Sequence, residues 1–287
     1  MSTLTDTRTP AAASPRAARS PHVTFPRLVR SEWIKFWTVR STWWILPITV
    51  LLMAGFGLLI AYFGTHAPAG GRRAQEVAFS ASTLAQVMIG FAQLTIAVLA
   101  VLTITGEYTT GMIRTTLTAD PRRLGALWAK ALVILPVTFV VSTVGAALTW
   151  LITRPALGTK FAVDLADGET RRILIGVPLY LTAIALLAFS LGALLRHSAA
   201  ALATIFGLLL VAPVIFGVIP WSVLEKIGPF MPSTAGEKIL TSQSLIEASR
   251  ATATGAVLSP WQGYGILVAW GVVLLAVAAV LLRRRDA

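Results

Sequence analysis

Residues 173–219 read ILIGVPLYLTAIALLAFSLGALLRHSAAALATIFGLLLVAPVIFGVI, two long apolar runs separated only by Arg196, His197 and Ser198. A helix needs about 20 apolar residues to cross the roughly 30 Å hydrocarbon core of a bilayer, and each run is about that long. Neither run has the polar face that a soluble helix of this length would carry. The stretch therefore predicts two membrane spans joined as a tight helical hairpin.

Similar apolar runs lie elsewhere in the chain, and none carries Lys, Arg, Asp or Glu in its middle. The six predicted spans are Trp43–Phe63, Ala81–Thr105, Ala131–Leu151, Ile173–Leu195, Ala199–Ile219 and Tyr264–Leu282. Hydrophobic residues make up 56% of the 287 residues and charged residues 13%, and the mean hydropathy is +0.76. This composition is typical of an integral membrane protein. We therefore expect an all-α protein whose residues 43–287 form a six-helix transmembrane domain.

The distribution of basic residues predicts an orientation. If the N-terminus is cytoplasmic, 15 of the 24 Lys and Arg residues fall on the cytoplasmic side of the six spans. The positive-inside rule then places both termini in the cytoplasm. We expect a multi-pass protein of the plasma membrane. The net charge of +12 is better explained by anionic lipid headgroups than by nucleic acid, so we expect lipid partners and no nucleic acid.

The sequence lacks the residue patterns of an enzyme. It contains no cysteine and only three scattered histidines, which argues against a disulfide, a metal site and a Cys nucleophile. It also contains no G-x-x-x-x-G-K-[ST] loop, so any ATP must bind to another polypeptide. We expect no catalytic residues, no metal and no cofactor on this chain.

Two segments precede the first predicted span. Residues 1–25 are rich in Ala, Ser, Thr, Pro and Arg and predict a disordered cytoplasmic tail. Residues 26–42, PRLVRSEWIKFWTVRST, predict an amphipathic helix in the membrane interface, with aromatic side chains towards lipid and basic ones near headgroups. The alternative is a plain extension of the first span, which the charges argue against. The residues assigned to this interfacial helix are Trp33, Lys35, Phe36, Trp37 and Arg40.

Two connecting segments are also informative. The predicted cytoplasmic loop after the second span reads GEYTTGMIRTTL over residues 106–117, a short amphipathic stretch in which Glu107 and Arg114 are polar. Without a partner, these would simply be solvated loop charges. The longer segment 220–263 contains a helix-like run, Ala235–Arg250, and we expect short helices at the outer membrane surface because long unstructured loops are uncommon.

Several of these stretches resemble a known family. The E-Y-x-x-G-x-I-R-x-T-L pattern of residues 107–117, followed by P-R-R at 121–123 and A-K at 129–130, is similar to ABC-2 type permeases of bacterial ABC transporters. Residues 31–44 and 258–263 add to the match, and the combination resembles permeases of actinobacteria in particular. The resemblance runs from about residue 25 to the end.

The resemblance implies a function. In such permeases the loop after the second span forms a coupling helix that sits in a groove of a cytoplasmic ATPase, and two permease subunits, identical or homologous, bind two ATPase chains. It implies export more than import. The residues that would couple to the ATPase are Glu107, Tyr108, Gly111, Met112, Ile113, Arg114 and Thr115. The alternatives are a secondary carrier, which would be expected to show ionisable residues inside its spans and repeated halves, and a membrane anchor or assembly protein without transport.

Two further patterns lie within the spans. Gln86 and Gln93 are seven positions apart and share a helix face. They either line a translocation path or hydrogen-bond to a neighbouring helix, and the second use is the commoner one. Ala199, Ala203 and Gly207 form a small-residue stripe that favours close helix packing, including packing between subunits.

Overall fold

The computed structural model describes residues 24–66, 80–109, 123–157, 166–219, 221–252 and 255–284. Within these residues every regular element is helical. The helices are α1 (Phe25–Thr38), α2 (Arg40–His66), α3 (Ala81–Thr109), α4 (Arg123–Leu157), α5 (Gly168–Leu195), α6 (Ser198–Val218), α7 (Ser222–Ile227), α8 (Pro232–Glu237), α9 (Gln243–Thr252) and α10 (Pro260–Arg284).

Six of these helices, α2 to α6 and α10, are long and apolar enough to cross a membrane. The prediction of an all-α bundle with six spans is therefore confirmed. Some boundaries were wrong: α4 begins at Arg123, whereas the predicted span began at Ala131. Charged residues near the end of a span can remain helical because their backbone hydrogen bonds are made within the helix. A boundary predicted from hydropathy stops at these charges.

The fourth span, α5, lies at the centre of the bundle and is the most buried of the six. It packs against α3, α4 and α10. Glycines permit the closest approaches, as is typical of helix pairs in membranes. A side chain at Gly192 of α5 would clash with Ile104 of α3, and one at Gly271 of α10 would clash with Leu186 of α5.

The hairpin between α5 and α6 is as short as the sequence predicts. Arg196 ends α5 in the left-handed conformation, with φ of 57°, and its N–H donates to the carbonyl of Gly192 at 2.9 Å. The next residue, His197, accepts a hydrogen bond from the N–H of Ala200 through Nδ1 at 3.3 Å and so caps α6. The fifth span, α6, then contains a π-helical turn at Gly207–Val211, and the hydroxyl of Ser233 donates to the carbonyl of Leu208 in that turn.

The segment between α6 and α10 is more broken than expected. The predicted run Ala235–Arg250 is divided into α8, a 3₁₀ turn at Lys238–Leu240, and α9. The cause is tertiary, because Arg172 of α5 donates hydrogen bonds to the carbonyls of Ile239 and Thr241, at 2.6 and 2.9 Å. These contacts hold the chain in a turn where a continuous helix would have used the same carbonyls.

Candidate functional site

Four charged side chains from three helices meet at the end of the bundle that carries α1. This ion cluster consists of Glu32 and Lys35 from α1, Glu107 from α3 and Lys130 from α4. Lys35 Nζ lies 2.9 Å from Glu32 Oε1 and 3.1 Å from Glu107 Oε1. Lys130 Nζ lies 2.7 Å from Glu107 Oε1 and also contacts Glu32 Oε2. Each acid therefore contacts both bases.

Three of the four side chains in the cluster are buried and the fourth is partly exposed. The side chains of Glu32, Glu107 and Lys130 are 5%, 9% and 4% exposed, whereas that of Lys35 is 36% exposed. Burial lowers the pKa of Lys35, but its hydrogen bonds to Glu32 and Glu107 and their negative charges outweigh that effect, and the pKa is raised. Because the charges balance, the cluster escapes most of the cost of an isolated buried ion.

A bend between α1 and α2 positions the first two members of the cluster. Val39 is extended and separates the two helices. The indole N–H of Trp43 donates to the carbonyl of Trp37 at 2.7 Å across this bend, and the two indole rings lie 5.5 Å apart in an edge-on contact. The bend therefore turns the face of α1 that carries Glu32 back onto α3 and α4.

A cavity of about 440 Å³ lies beside the ion cluster, inside the bend. All four cluster residues line it. Its other lining residues are Phe36, Thr38, Val39, Ser41, Thr42, Leu99, Leu102, Thr103, Gly106 and Val133. Within the part of the chain that the structure describes, Glu107 Oε2 is buried and has no hydrogen-bond partner.

The residues predicted to couple to an ATPase fall into two groups. Gly111, Met112, Ile113, Arg114 and Thr115 lie outside the described residues. The other two, Glu107 and Tyr108, belong to the last turns of α3. The expectation of a loop at these two positions is wrong, because α3 continues through Thr109 and turns the Glu107 carboxylate towards Lys130. Tyr108 is half-buried and its ring lies 5.5 Å from the guanidinium of Arg196.

The predicted interfacial helix is a separate helix, but with different roles for its residues. Phe36 is buried and Trp33 is exposed, while the Trp37 ring contacts both of them at 5.6 and 5.7 Å. Lys35 belongs to the ion cluster and its side chain is 36% exposed; its predicted contact with lipid headgroups stays a prediction. Arg40 was wrongly assigned to this helix, because the break at Val39 makes it the first residue of α2.

Sequence reasoning missed the ion cluster itself. The sequence alone does not predict that Glu32 and Lys130 pair with each other, although it assigns roles to the other two cluster members, Lys35 and Glu107. The available signal was charge balance: an acid and a base three positions apart on α1, an acid near the end of one span and a base near the start of the next. Such a pattern becomes informative only once the helices are known to meet.

The two glutamines of α3 occupy different environments. Gln93 is buried and its Oε1 accepts a hydrogen bond from the Tyr180 hydroxyl of α5 at 2.8 Å. Gln86 is exposed. Although the two share a helix face, seven residues separate them by about 10 Å along the axis. The hydrogen bond gives Gln93 a helix-packing contact, and a translocation role for Gln86 stays a prediction.

The comparison with known families settles the class of protein. A sequence model of the family described as ABC-2 family transporter protein matches residues 27–287. The chain belongs to the ABC-2 transporter family. It is the permease subunit of an ABC transporter, a multi-pass membrane protein that serves transport and is not itself catalytic. No curated protein matches the permease significantly.

Family membership also bears on the site. An ABC-2 permease is expected to associate with an ABC ATPase subunit. The ion cluster flanks the segment 110–122, because Glu107 lies near the end of α3 and Lys130 lies in the second turn of α4. The site is thus located where the two spans on either side of that segment are joined to α1.

Proposed function

We propose that the permease is an exporter in which ATP hydrolysis on separate cytoplasmic ATPase chains drives translocation through the membrane bundle. The observation that carries this proposal is the family match over residues 27–287, which covers all six spans. Because the matching family consists of ABC transporter proteins, this match argues against the alternative of a secondary carrier. The choice of export over import rests on the sequence resemblance of residues 107–117.

The segment 110–122 is the element that transmits the ATPase movement in this proposal. Glu107 and Lys130 lie on either side of it and contact each other. Glu107 also contacts Lys35 of α1, and Lys130 also contacts Glu32 of α1. A force on the segment would therefore move α1, α3 and α4 together, because separating them would expose or unpair buried charges. The roles of Gly111 to Thr115 rest on the resemblance.

A second permease subunit, identical or homologous, completes the transporter. We place it against α6, which is the least buried of the six spans. Ala199 and Ala203 are exposed on this helix, and small residues permit close helix contact. The exposed large residues Leu210, Val211 and Val214 lie farther along the same span and would be covered by a partner helix or by lipid.

The proposed location is the plasma membrane. The proposed orientation follows the positive-inside rule, with both termini and the segment 110–122 in the cytoplasm. The α1 end of the bundle then faces the ATPase. The segment between α6 and α10 lies on the outer side, where Arg172 and Glu169 anchor it to α5.

The proposal is tested by co-expressing the permease with an ABC ATPase from its own genome. The measurements are the yield of ATPase in a pull-down and the ATPase rate in nanodiscs. The parent should retain the ATPase and alter its rate. Gly111→Trp should weaken both effects by a steric clash in the segment 110–122, whereas Gly265→Trp should not, because Gly265 is exposed on α10 with open space around it.

Two results would contradict the proposal in different ways. If the parent retains no ATPase of its genome, the proposed coupling to a separate ATPase chain fails. If the parent retains the ATPase but Gly111→Trp changes neither yield nor rate, the transporter stands and the coupling role of the segment 110–122 is wrong.

A further inference from the structure

The turn between α5 and α6 has an unusual backbone at Arg196. Among the residues that the structure describes, Arg196 is the one non-glycine residue with a positive φ, 57°. This left-handed conformation is sterically unfavourable for a residue with a Cβ atom, and helices that end in this way most often have Gly at that position. Because a backbone outlier points to a role for the side chain that occupies it, we examined what the guanidinium of Arg196 contacts.

The Arg196 side chain reaches the end of α3. Its guanidinium carbon lies 5.5 Å from the centre of the Tyr108 ring, which is within the range of a cation–π contact. Both residues are partly buried, and such a contact becomes stronger where water is partly excluded. The contact therefore joins the last turns of α3 to the hairpin that connects α5 and α6.

The packing of α3 against α5 directs Tyr108 towards this hairpin. A Cβ built at Gly192 of α5 would lie 2.6 Å from the Ile104 side chain and 3.4 Å from the backbone of Val101, so the two helices are in close contact there. Residues three, four and seven positions apart share one helix face, and Val101, Ile104 and Tyr108 therefore follow the end of α5 together. The N–H of Arg196 donates to the carbonyl of Gly192 at 2.9 Å, which fixes the turn to the part of α5 that contacts α3.

Glu107 and Tyr108 are adjacent residues that contact different parts of the bundle. Glu107 contacts Lys35 of α1 and Lys130 of α4. Tyr108 contacts Arg196 between α5 and α6. Successive residues of a helix point about 100° apart, so one turn of α3 makes both connections. The second connection leads to the most buried span, α5, and to the least buried span, α6.

We infer that Arg196 is a positioning residue for transport, which acts through Tyr108 to fix the end of α3 to the hairpin of α5 and α6. A movement of α3 then reaches the central span α5. This inference rests on the proposed function, in which the segment 110–122 is the source of that movement. Apolar packing is non-directional and permits helices to slide, whereas a cation–π contact holds one cation over one ring. The contact therefore makes the hairpin follow the end of α3.

The first test needs no ATPase. Amide hydrogen exchange is measured over the end of α3, residues 102–109, in the full-length permease in nanodiscs. Arg196→Ala and Tyr108→Leu should each raise the exchange rate there about fivefold, as the loss of one partly buried cation–π contact implies. The double variant should exchange no faster than the faster single variant, because both substitutions remove the same contact. Additive effects, or an unchanged rate in either single variant, would overturn the inference.

The second test measures the change in ATPase rate that the permease causes in nanodiscs. Arg196→Ala should reduce this change about fivefold, and Arg196→Lys should retain at least half of it because a cation remains. Arg154→Ala is the matched control. Arg154 lies 5.4 Å over the Trp150 ring, but both residues belong to α4, so this contact joins no two helices and its loss should leave the rate unchanged. If Arg196→Ala raises the exchange rate but leaves the ATPase rate unchanged, the contact is only structural and the inference is overturned.

A glycine variant separates the contact from the backbone strain. Arg196→Gly and Arg196→Ala both remove the guanidinium, but only Gly relieves the left-handed conformation, so its folding equilibrium constant should be about fivefold larger than that of the Ala variant. Both should lose the effect on the ATPase rate equally, which a general loss of stability would not produce. A Gly variant with the parental effect would overturn the inference alone. A parent that binds no ATPase overturns the proposed function and the inference with it.

Discussion

Replacing Lys130 by Met should be far more damaging than replacing Lys35 by Met. Both lysines contact the same two acids, Glu32 and Glu107. They differ in burial, with side chains 4% and 36% exposed. The comparison therefore isolates the effect of burial on an ion pair, because the number and identity of the partners are the same.

The expected magnitudes follow from that difference. Breaking a buried ion pair by removing one partner costs about 3–5 kcal/mol, and without Lys130 the two buried acids share the partly exposed Lys35 and leave a net negative charge in the dry part of the site. Lys130→Met should lower the free energy of unfolding by about that amount. Lys35→Met should cost about 1 kcal/mol or less, since water screens a partly exposed pair. Met is apolar and of similar length, so little packing is lost in either variant.

The assay is equilibrium unfolding in mixed micelles with increasing SDS, followed by tryptophan fluorescence. The double variant Glu107→Gln with Lys130→Met is the internal control, because it removes one acid and one base and leaves the contact between Glu32 and Lys35. Its cost should be smaller than the sum of the single costs by about 1–3 kcal/mol. The reasoning is refuted if the two lysine variants unfold alike within about 0.5 kcal/mol, or if the double variant is additive.

Three other predictions test separate parts of the molecule. For the orientation, a cysteine replacing Asp167 should react with an impermeant reagent added outside intact cells and one replacing Asp120 should not, and the reverse pattern would overturn the six-span orientation. For packing, Gly263→Ala should lower the free energy of unfolding by about 1–3 kcal/mol, because its Cβ would clash with the backbone of α8; Gly265→Ala, with open space, should have little effect in the same SDS assay. For pH, burial raises the pKa of Glu237, which the charge of Lys238 partly opposes. The folded state therefore binds this proton more tightly than the unfolded state, so the melting temperature should fall as the pH rises from the ordinary carboxyl pKa through the raised value. Glu237→Gln should flatten that slope, and an identical slope in parent and variant would contradict the assignment.

Much of the fold was predictable from the sequence because a membrane span is a local property. About 20 apolar residues in a row must cross a bilayer as a helix, whatever the rest of the chain does. The hairpin at Arg196 was predictable for the same reason, since three residues leave only a tight turn. The segment containing Ala235–Arg250 was not, because its break depends on Arg172, a residue of another helix.

The site depended on the tertiary structure. Glu32 lies 98 positions from Lys130, and Lys35 lies 72 positions from Glu107. In the sequence each appears as a charge near the end of a span, which ordinarily faces water or lipid headgroups. Their pairing arises only because the bend at Val39 folds α1 back onto α3 and α4.

The sequence by itself determined the class of protein, its six spans and its family, since apolar length, charge placement and short motifs are all written along the chain. Only the tertiary structure decided which charges are buried and which glutamine is covered. Burial is a property of neighbours in space: Gln93 is covered because Tyr180 lies opposite it, and Glu107 is a cluster member because Lys130 approaches from the next helix.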